Sequence, residues 1–204
     1  AAVNGTVGTD HGTGTVAFGW KGGIGTSSRK TKAGWTVGVL VQTNYGGSTE
    51  LVMGGVEVGR VLKRNGVKPN VGKGPQGSVM VVVATDAPLS DRNLRRLATR
   101  ALLGIGVTGA SASNGSGDYI IAFSTNDEVR RRMPAVASGF PDTLRTTELS
   151  NEAMSPLLDA TVDATVEAVY NSLLRATTVK GAYATVEAIP VDELRAILRQ
   201  GSGK

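Results

Sequence analysis

The apolar residues of this chain fall into short runs, some continuous and some at helical spacing. Continuous β-branched runs bounded by glycine or polar turns predict buried strands. Such runs cover residues 35–43, 78–85 and 118–124, with shorter ones at 15–20 and 183–188. Apolar residues three or four positions apart predict helices over residues 91–103, 150–176 and 191–200. Because these strands and helices do not alternate strictly, we expect an α+β domain of layered sheets and helices rather than a doubly wound sheet.

Glycine and proline mark the connections between these elements. Gly54 and Gly55 separate two short extended pieces and predict a hairpin turn. Residues 21–34 are rich in glycine and serine, so we expect a turn-rich connection there. Residues 60–77 carry four glycines and two prolines and follow neither the helical nor the strand period. This stretch is therefore predicted to be an exposed linker that is open to cleavage.

Composition narrows the classes of function. The chain has 204 residues, 40% hydrophobic and 19% charged, which is ordinary for one globular domain. The absence of cysteine excludes disulfides, thiolate metal sites and cysteine nucleophiles. The net charge of +5 comes from short basic groups that form no stripe and carry no recognised motif, so we expect no nucleic-acid partner. No apolar run approaches the roughly 18 residues that a membrane-spanning helix needs, so we expect no membrane partner either.

Three features that could bind a metal or a cofactor are better explained as ordinary structure. The sequence Gly-Ile-Gly-Val-Thr-Gly at residues 104–109 matches a dinucleotide fingerprint, but a predicted helix precedes it where a strand is required. His11 has no cluster of histidines or carboxylates at ligand spacing. Asp159, Asp163 and Glu167 recur every four residues, as on the solvated face of an amphipathic helix. We therefore expect no cofactor and no metal.

The junction of Gly77 and Ser78 combines several features of a self-activating nucleophile. Ser78 is a small hydroxyl residue that opens the most apolar run in the chain. A serine nucleophile needs a base, and the chain has a single histidine. Cleavage before Ser78 would create an α-amine with a pKa of about 7.7–8.0, tethered to the hydroxyl that it would deprotonate. The residues alone also allow Ser78 to be a polar strand start, so both interpretations stay open at this point.

Resemblance to a known family favours the first interpretation. The stretch Gly-Ser-Val-Met-Val-Val-Val-Ala-Thr-Asp-Ala-Pro-Leu at residues 77–89 resembles the start of the small subunit of the self-processing aminopeptidases. These are the L-aminopeptidase/D-Ala-esterase/amidases and the β-peptidyl aminopeptidases. Residues 21–29 (Lys-Gly-Gly-Ile-Gly-Thr-Ser-Ser-Arg) and 35–46 resemble the end of their large subunit, and residues 115–124 continue the small one. The similarity covers nearly the whole chain in the family's order.

The resemblance implies a fold and a set of catalytic residues. The fold would be an αββα layered sandwich like that of the N-terminal nucleophile hydrolases, with different connectivity. Ser78 matches the nucleophile, and its freed amine matches the base. Ser116 and Asp118 match the serine and the acidic residue that assist proton movement and hold the amine, although some relatives carry glutamate in place of Asp118. Asn44 matches the amide that stabilises the oxyanion.

The resemblance also implies processing and assembly. The precursor would cut itself between Gly77 and Ser78. The two segments of this single domain would be residues 1–77, the end of the large subunit, and residues 78–204, the small subunit. The cleaved segments would stay associated, and such heterodimers would form a homotetramer. Family members carry a much longer segment ahead of the part matched here, and that segment supplies an acidic residue that binds the substrate's amino group.

We therefore expect a self-processed serine aminopeptidase or amidase. It would remove N-terminal residues from short peptides, amides or esters through an acyl-enzyme on Ser78. One alternative is an acyltransferase like the ornithine acetyltransferases, although those use threonine as the nucleophile. Another is an inactive binding domain of the same fold. We assign the protein to the cytoplasm by default, with the periplasm or secretion left open.

Overall fold

The computed structural model describes residues 14–69, 77–131, 143, 145–182 and 184–201 of the chain. The strands are β1 (Val16–Ala17), β2 (Trp20–Lys21), β3 (Gly23–Lys30), β4 (Thr36–Thr43), β5 (Val79–Thr85), β6 (Tyr119–Ser124), β7 (Val179–Lys180) and β8 (Thr185–Val186). The helices are α1 (Val58–Arg64), α2 (Asp91–Val107), α3 (Ser155–Leu174) and α4 (Val191–Gly201). Single 3-10 turns lie at Asp127–Val129 and Asn151–Ala153.

A four-stranded sheet in the order β3-β4-β5-β6 is the centre of the fold. Strand β4 runs antiparallel to both β3 and β5, whereas β6 runs parallel to β5. The parallel pair needs a crossover connection, and α2 supplies its helix. Two small antiparallel ribbons, β1-β2 and β7-β8, complete the strands.

Helices α2 and α3 cover one face of this sheet. Side chains alternate along each strand, so every second residue of β4 and β5 points to the helices. The buried residues on these two strands are valines with one threonine at the end of each strand: Val37, Val39, Val41, Val79, Val81, Val83, Thr43 and Thr85. The facing side of α3 is built from small residues such as Ala164 and Ala168, which let the helix lie close to the strands. The main core therefore lies between the sheet and these two helices.

The opposite face of the sheet is apolar and open among the described residues. Tyr119 is 64% exposed and Ile121 is 59% exposed, and both lie on β6. Met80 on β5 and Phe123 on β6 are exposed on the same face. Two packed sheets bury such faces against each other in a layered sandwich. This face is where the second sheet of the predicted αββα sandwich would lie.

The α+β prediction is confirmed, and most long elements lie where the pattern placed them. The strands predicted over residues 35–43, 78–85 and 118–124 are β4, β5 and β6. The helices predicted over residues 91–103, 150–176 and 191–200 are α2, α3 and α4. The hairpin turn at Gly54 and Gly55 is present, with both residues at positive φ and Met53 bridged to Val56.

Four local predictions are wrong in whole or in part. Residues 21–34 contain the eight-residue strand β3, because the small residues that suggested turns are needed for close packing on α3. The supposed linker at 60–77 begins inside α1, whose Val58 and Leu62 are buried four residues apart, while residues 70–76 lie outside the described part. Residues 15–20, predicted as one strand, turn back at Phe18 and Gly19 to form the hairpin of β1 and β2. The strand predicted over 183–188 is reduced to β8, and Tyr183 is outside the described residues.

Gly25 is the tightest point between β3 and α3 and should tolerate no side chain. A Cβ added there would lie 1.8 Å from the backbone oxygen of Ala168, so the helix would have to move. We expect Gly25→Ala to lower the free energy of unfolding by about 3 kcal/mol, at the upper end of typical overpacking costs. Gly38→Ala on β4 is the matched control, because its nearest neighbour is 4.0 Å away. Urea unfolding measures both, and equal stabilities of the two variants would contradict the prediction.

Candidate active site

Strand pairing brings the sequence-predicted residues to one edge of the central sheet. Because β4 is antiparallel to β5, with Thr43 paired to Val79, the residue after β4 lies beside the residue before β5. Because β6 is parallel to β5, with Tyr119 paired to Met80, the loop before β6 reaches the same edge. Asn44, the Gly77–Ser78 peptide and the Ser116–Asp118 loop therefore meet there, although residues 44 and 118 are far apart in sequence.

Short hydrogen bonds connect the predicted residues around the Gly77–Ser78 bond. The backbone N–H of Gly117 donates to the Ser78 hydroxyl oxygen at 2.9 Å. The Ser116 hydroxyl lies 3.1 Å from the Gly77 carbonyl oxygen and 2.8 Å from Oδ1 of Asp118. A hydroxyl has one proton, so Ser116 donates to only one of these two acceptors at a time. The Ser116 hydroxyl can thus turn its proton either to the Asp118 carboxylate or to the carbonyl of the bond expected to break.

Asp118 is fixed from the strand beside it. Its Oδ1 accepts the backbone N–H of Val79 at 3.0 Å, the residue that follows the predicted nucleophile. The same oxygen accepts from Ser116 when that hydroxyl turns towards it. These donors hold the Asp118 carboxylate beside the N-terminal end of β5. A freed amine of Ser78 would lie at that end of the strand.

Asn44 presents its amide nitrogen towards Gly77. The backbone N–H of Val16 donates to Oδ1 of Asn44 at 2.9 Å. A backbone N–H can only donate, so its partner is the amide oxygen, and the NH₂ group lies on the other side. A Cβ added at Gly77 would lie 2.2 Å from Nδ2 and 1.9 Å from the backbone oxygen of Asn44. Glycine is therefore required at position 77 by the close approach of Asn44.

A narrow cleft adjoins these residues. It is lined by Gly77, Ser116 and Asp118 on one side and by Tyr45, Glu50 and residues 110–113 on the other. The buried Tyr45 hydroxyl is 2.9 Å from the Thr108 hydroxyl, which donates its own proton to the carbonyl of Ile105 at 2.6 Å. Tyr45 is therefore the donor of that pair, and burial raises its pKa far above the ordinary value. The Tyr45 hydroxyl therefore stays protonated and neutral.

Several parts of the site were not predicted from the sequence. These parts are the Gly117 N–H, the Val16 N–H and the Tyr45 side chain. No sequence motif marks these residues as functional, although Gly117 and Tyr45 are next to residues of the predicted site.

The remaining candidates from the sequence add nothing to this site. His11 lies outside the described residues. Within the described part, no group of three or more His, Cys, Asp or Glu could hold a metal ion. None of the described helices combines the length and apolar character needed to cross a bilayer.

Glu167 of the evenly spaced carboxylates has a structural partner. It lies on α3 and forms a salt bridge to Arg29 on β3 at 2.5 Å, and it accepts a hydrogen bond from the Ser27 hydroxyl at 2.8 Å. These bonds lower the pKa of Glu167, the hydrogen bond from Arg29 being the largest cause. Asp159 and Asp163 are exposed on the same helix. Arg29 pairs with Val37, and Val37 pairs with Thr85, so Glu167 lies at the end of the sheet opposite the Gly77–Ser78 bond.

Sequence comparison gives relatives with named activities. The chain is 40% identical over 206 aligned residues to beta-peptidyl aminopeptidase BapA of Sphingosinicella xenopeptidilytica, covering 92% of this chain and 49% of that protein. It is 38% identical over 209 aligned residues to the protein of the same name from Sphingosinicella microcystinivorans, covering 93% of this chain and 50% of that protein. The chain therefore spans about half the length of the curated relatives that it matches.

Solved structures show the same fold. The chain superposes on the PH0078 protein from Pyrococcus horikoshii OT3 with a TM-score of 0.81 at 39% identity, covering 98% of this chain and 53% of that one. A beta-aminopeptidase of Burkholderia sp. gives a TM-score of 0.83 at 36% identity, covering 98% and 54%.

A third solved structure is described in terms of the predicted fold class. The L-aminopeptidase D-Ala-esterase/amidase of Ochrobactrum anthropi gives a TM-score of 0.81 at 35% identity, covering 98% and 53%. It is described as a prototype of the serine aminopeptidases with a new variant of the N-terminal nucleophile hydrolase fold, which confirms the predicted fold class. The profile of peptidase family S58 matches residues 1–186, and the chain belongs to that family.

Proposed function

We propose that this chain carries the nucleophile of a self-processing serine aminopeptidase or amidase. The observation that carries the proposal is the convergence of Ser78, Asn44, Ser116 and Asp118 around the Gly77 carbonyl at one sheet edge. These are the groups that acyl transfer requires: a hydroxyl nucleophile, hydrogen-bond donors for an oxyanion and a carboxylate to hold a base. Serine at position 78 is the reason to prefer hydrolysis over transfer to an amine.

Self-cleavage follows from the position of the Ser78 hydroxyl. Its oxygen attacks the Gly77 carbonyl carbon, the C–N bond between the two residues breaks, and the hydroxyl proton ends on the freed amine. The product is an ester between Gly77 and the Ser78 oxygen. Ser116, 3.1 Å from the Gly77 carbonyl oxygen, donates to that oxygen as negative charge develops on it. Water then hydrolyses the ester, which restores the hydroxyl and releases the Gly77 carboxylate.

The mature site uses the same groups for substrate. The freed Ser78 amine, with an ordinary pKa of about 7.7–8.0, removes the hydroxyl proton as Ser78 attacks the substrate carbonyl. Asp118, which holds the neighbouring Val79 N–H, keeps the amine in place through its carboxylate. Nδ2 of Asn44 donates to the substrate oxyanion. The amine returns its proton to the leaving group, and water hydrolyses the acyl-enzyme.

The two segments made by the cut would stay together. Strand β4 lies in residues 1–77 and β5 lies in residues 78–204, and the two are paired from Val37–Thr85 to Thr43–Val79. Strand β3 also packs on α3 across the cut, with Asn171 donating to the Thr26 carbonyl at 3.0 Å. This pairing supports our proposal that segments 1–77 and 78–204 belong to a single domain. A homotetramer of the cleaved heterodimer is the assembly that we propose.

The proposed substrates are short peptides, amides or esters with a free N-terminal amine. The names of the relatives, beta-peptidyl aminopeptidases, support this class and add β-residues to it. The cytoplasm is the proposed compartment, and cell fractionation tests it.

N-terminal sequencing and a paired substrate assay test the function. Purified wild-type full-length gene product should contain a chain that begins Ser-Val-Met-Val. It should hydrolyse β-alanyl and L-alanyl p-nitroanilides and leave the N-acetylated forms intact. Addition of a free amino acid as acceptor should not divert the acyl group from water. A chain left uncut at Ser78 and inactive on both anilides would instead support the inactive binding domain.

A further inference from the structure

Lys21 is a buried cation beside the candidate site with no role in the steps above. Its side chain has no exposed surface. Its ammonium donates to the Gly22 carbonyl at 2.8 Å, the Thr15 carbonyl at 3.1 Å and the Thr15 hydroxyl at 3.1 Å. Burial lowers the pKa of Lys21 to about 8, so the ammonium form still predominates near pH 7. A methionine would fill similar space without a buried charge.

One peptide group links Lys21 to Asn44. The Thr15 carbonyl that accepts from Lys21 and the Val16 N–H that donates to Asn44 belong to the same peptide bond. An ammonium on the carbonyl draws electrons from the peptide and makes its N–H a stronger donor. A stronger donor on Oδ1 in turn polarises the Asn44 amide and strengthens its NH₂ as a donor. Such chains of hydrogen bonds reinforce one another in a low dielectric.

The hairpin of β1 and β2 gives this link a fixed geometry. Val16 pairs with Lys21 across the two strands, which places both ends of the link in one short ribbon. Phe18 at the turn is fully buried, donates its N–H to the Tyr45 carbonyl at 2.9 Å and packs edge-on against the Tyr45 ring. The hairpin is therefore anchored independently on the residue next to Asn44.

We propose that Lys21 is a positioning residue that fixes and polarises the Asn44 amide through the Thr15–Val16 peptide. The inference rests on the proposed function, in which Nδ2 of Asn44 donates to the oxyanion. The group that Asn44 stabilises in this way is the negatively charged substrate oxygen of the transition state. Lys21 touches neither substrate nor nucleophile and acts only through Asn44.

A double-mutant cycle separates this role from simple support of the fold. In the full-length gene product, Asn44→Ala should lower kcat by about 10²–10³-fold, as loss of an oxyanion donor does elsewhere. Lys21→Met should lower kcat about tenfold with KM little changed. This effect is smaller than that of Asn44→Ala because the Asn44 donor is weakened but still present. In the Asn44→Ala background, Lys21→Met should change kcat less than about twofold, because the group it acts through is gone. Lys63→Met, at an exposed lysine on α1, is the control and should leave kcat unchanged.

Two results would overturn the inference. One is a loss on Lys21→Met that is equally large with and without Asn44, and the other is a Lys21→Met enzyme with wild-type kcat. If the methionine variant does not fold, Lys21→Gln is used in the same cycle. Glutamine removes the positive charge of Lys21 but keeps an N–H group that can donate to the Thr15 carbonyl and support the fold. If neither neutral variant folds, Lys21 is a stability residue and the proposal is wrong.

Amide hydrogen exchange tests the link without any activity. In Lys21→Met, the Val16 N–H should lose at least about tenfold more protection than the Phe18 N–H of the same hairpin. General loosening of the hairpin would affect both amides alike and would contradict the proposal. If the wild-type protein hydrolyses no amide, the proposed function fails, and this comparison alone decides whether Lys21 acts on the Val16–Asn44 bond.

Discussion

Ser78→Ala is expected to leave the Gly77–Ser78 bond intact and to abolish amide hydrolysis. The variant removes the oxygen that accepts from the Gly117 N–H at 2.9 Å and that would attack the Gly77 carbonyl. Without cleavage no α-amine forms, so the nucleophile and its base are lost together. Loss of the nucleophile costs about 10⁶-fold in kcat in other serine hydrolases, which would place turnover below detection here. A denaturing gel should show one unbroken chain across residue 78, and the anilide assay should show no release.

Two variants make this result specific. Ser155→Ala, at an exposed serine that begins α3, should be processed and active like the wild type. Ser78→Thr keeps a hydroxyl at the same atom position and should still be cut, more slowly because its methyl group must fit beside Gly117. A Ser78→Ala protein that still separates into two pieces at this bond would show that another agent makes the cut.

The position of Ser78 in the fold could be predicted from local sequence, whereas the residues that lie around it could not. A glycine-serine pair ahead of the most apolar strand is a local pattern, and Ser78 lies directly before β5 as that pattern indicates. Which loops meet that position depends on strand pairing, namely β4 antiparallel and β6 parallel to β5. No periodicity in the sequence encodes these pairings. Asn44, Ser116 and Asp118 were therefore reached through resemblance, and the structure brings all three to the same edge.

The elements that sequence patterns missed share a physical cause. Strand β3 is made largely of glycine, serine and threonine, residues that ordinarily mark turns. Their small size is required because α3 lies directly on the strand at Gly25. Helix α1 has seven residues, too few for a helical period to stand out. In both cases tertiary packing, rather than local propensity, decides the conformation.

The sequence pattern also could not predict which face of the sheet is buried and which is exposed. A continuous apolar run predicts a strand covered on both sides, yet β5 is buried on its valine face and open at Met80. The run is apolar on both faces, which suits a strand whose open face packs against another apolar surface. The relatives are about twice as long as this chain, and in layered sandwiches an apolar sheet face of this kind is covered by a second sheet. The pattern therefore reported the character of the strand correctly but not its surroundings in this chain.

Ser116→Ala should slow self-cleavage about 10²–10³-fold, the usual cost of losing one donor to a developing oxyanion. The Ser116 hydroxyl is 3.1 Å from the Gly77 carbonyl oxygen, and that oxygen gains negative charge when Ser78 attacks. The backbone donor to Ser78 from Gly117 is untouched, so the fold and the nucleophile should persist. Freshly made protein should therefore appear as the unbroken chain and convert over a much longer time, which a gel time course measures.

The neighbouring serine in the same cleft provides the matched control. Ser113 lines the cleft, and its carbonyl accepts the Ser116 N–H at 3.0 Å, so Ser113→Ala leaves that loop contact in place. It should be processed at the wild-type rate. Ser116→Ala and Ser113→Ala proteins that convert equally fast would show that Ser116 does not stabilise the oxyanion of self-cleavage. In that case the 3.1 Å contact only holds the Gly77 carbonyl in place, and Asn44 would have to supply the stabilisation alone, since its Nδ2 approaches the same glycine.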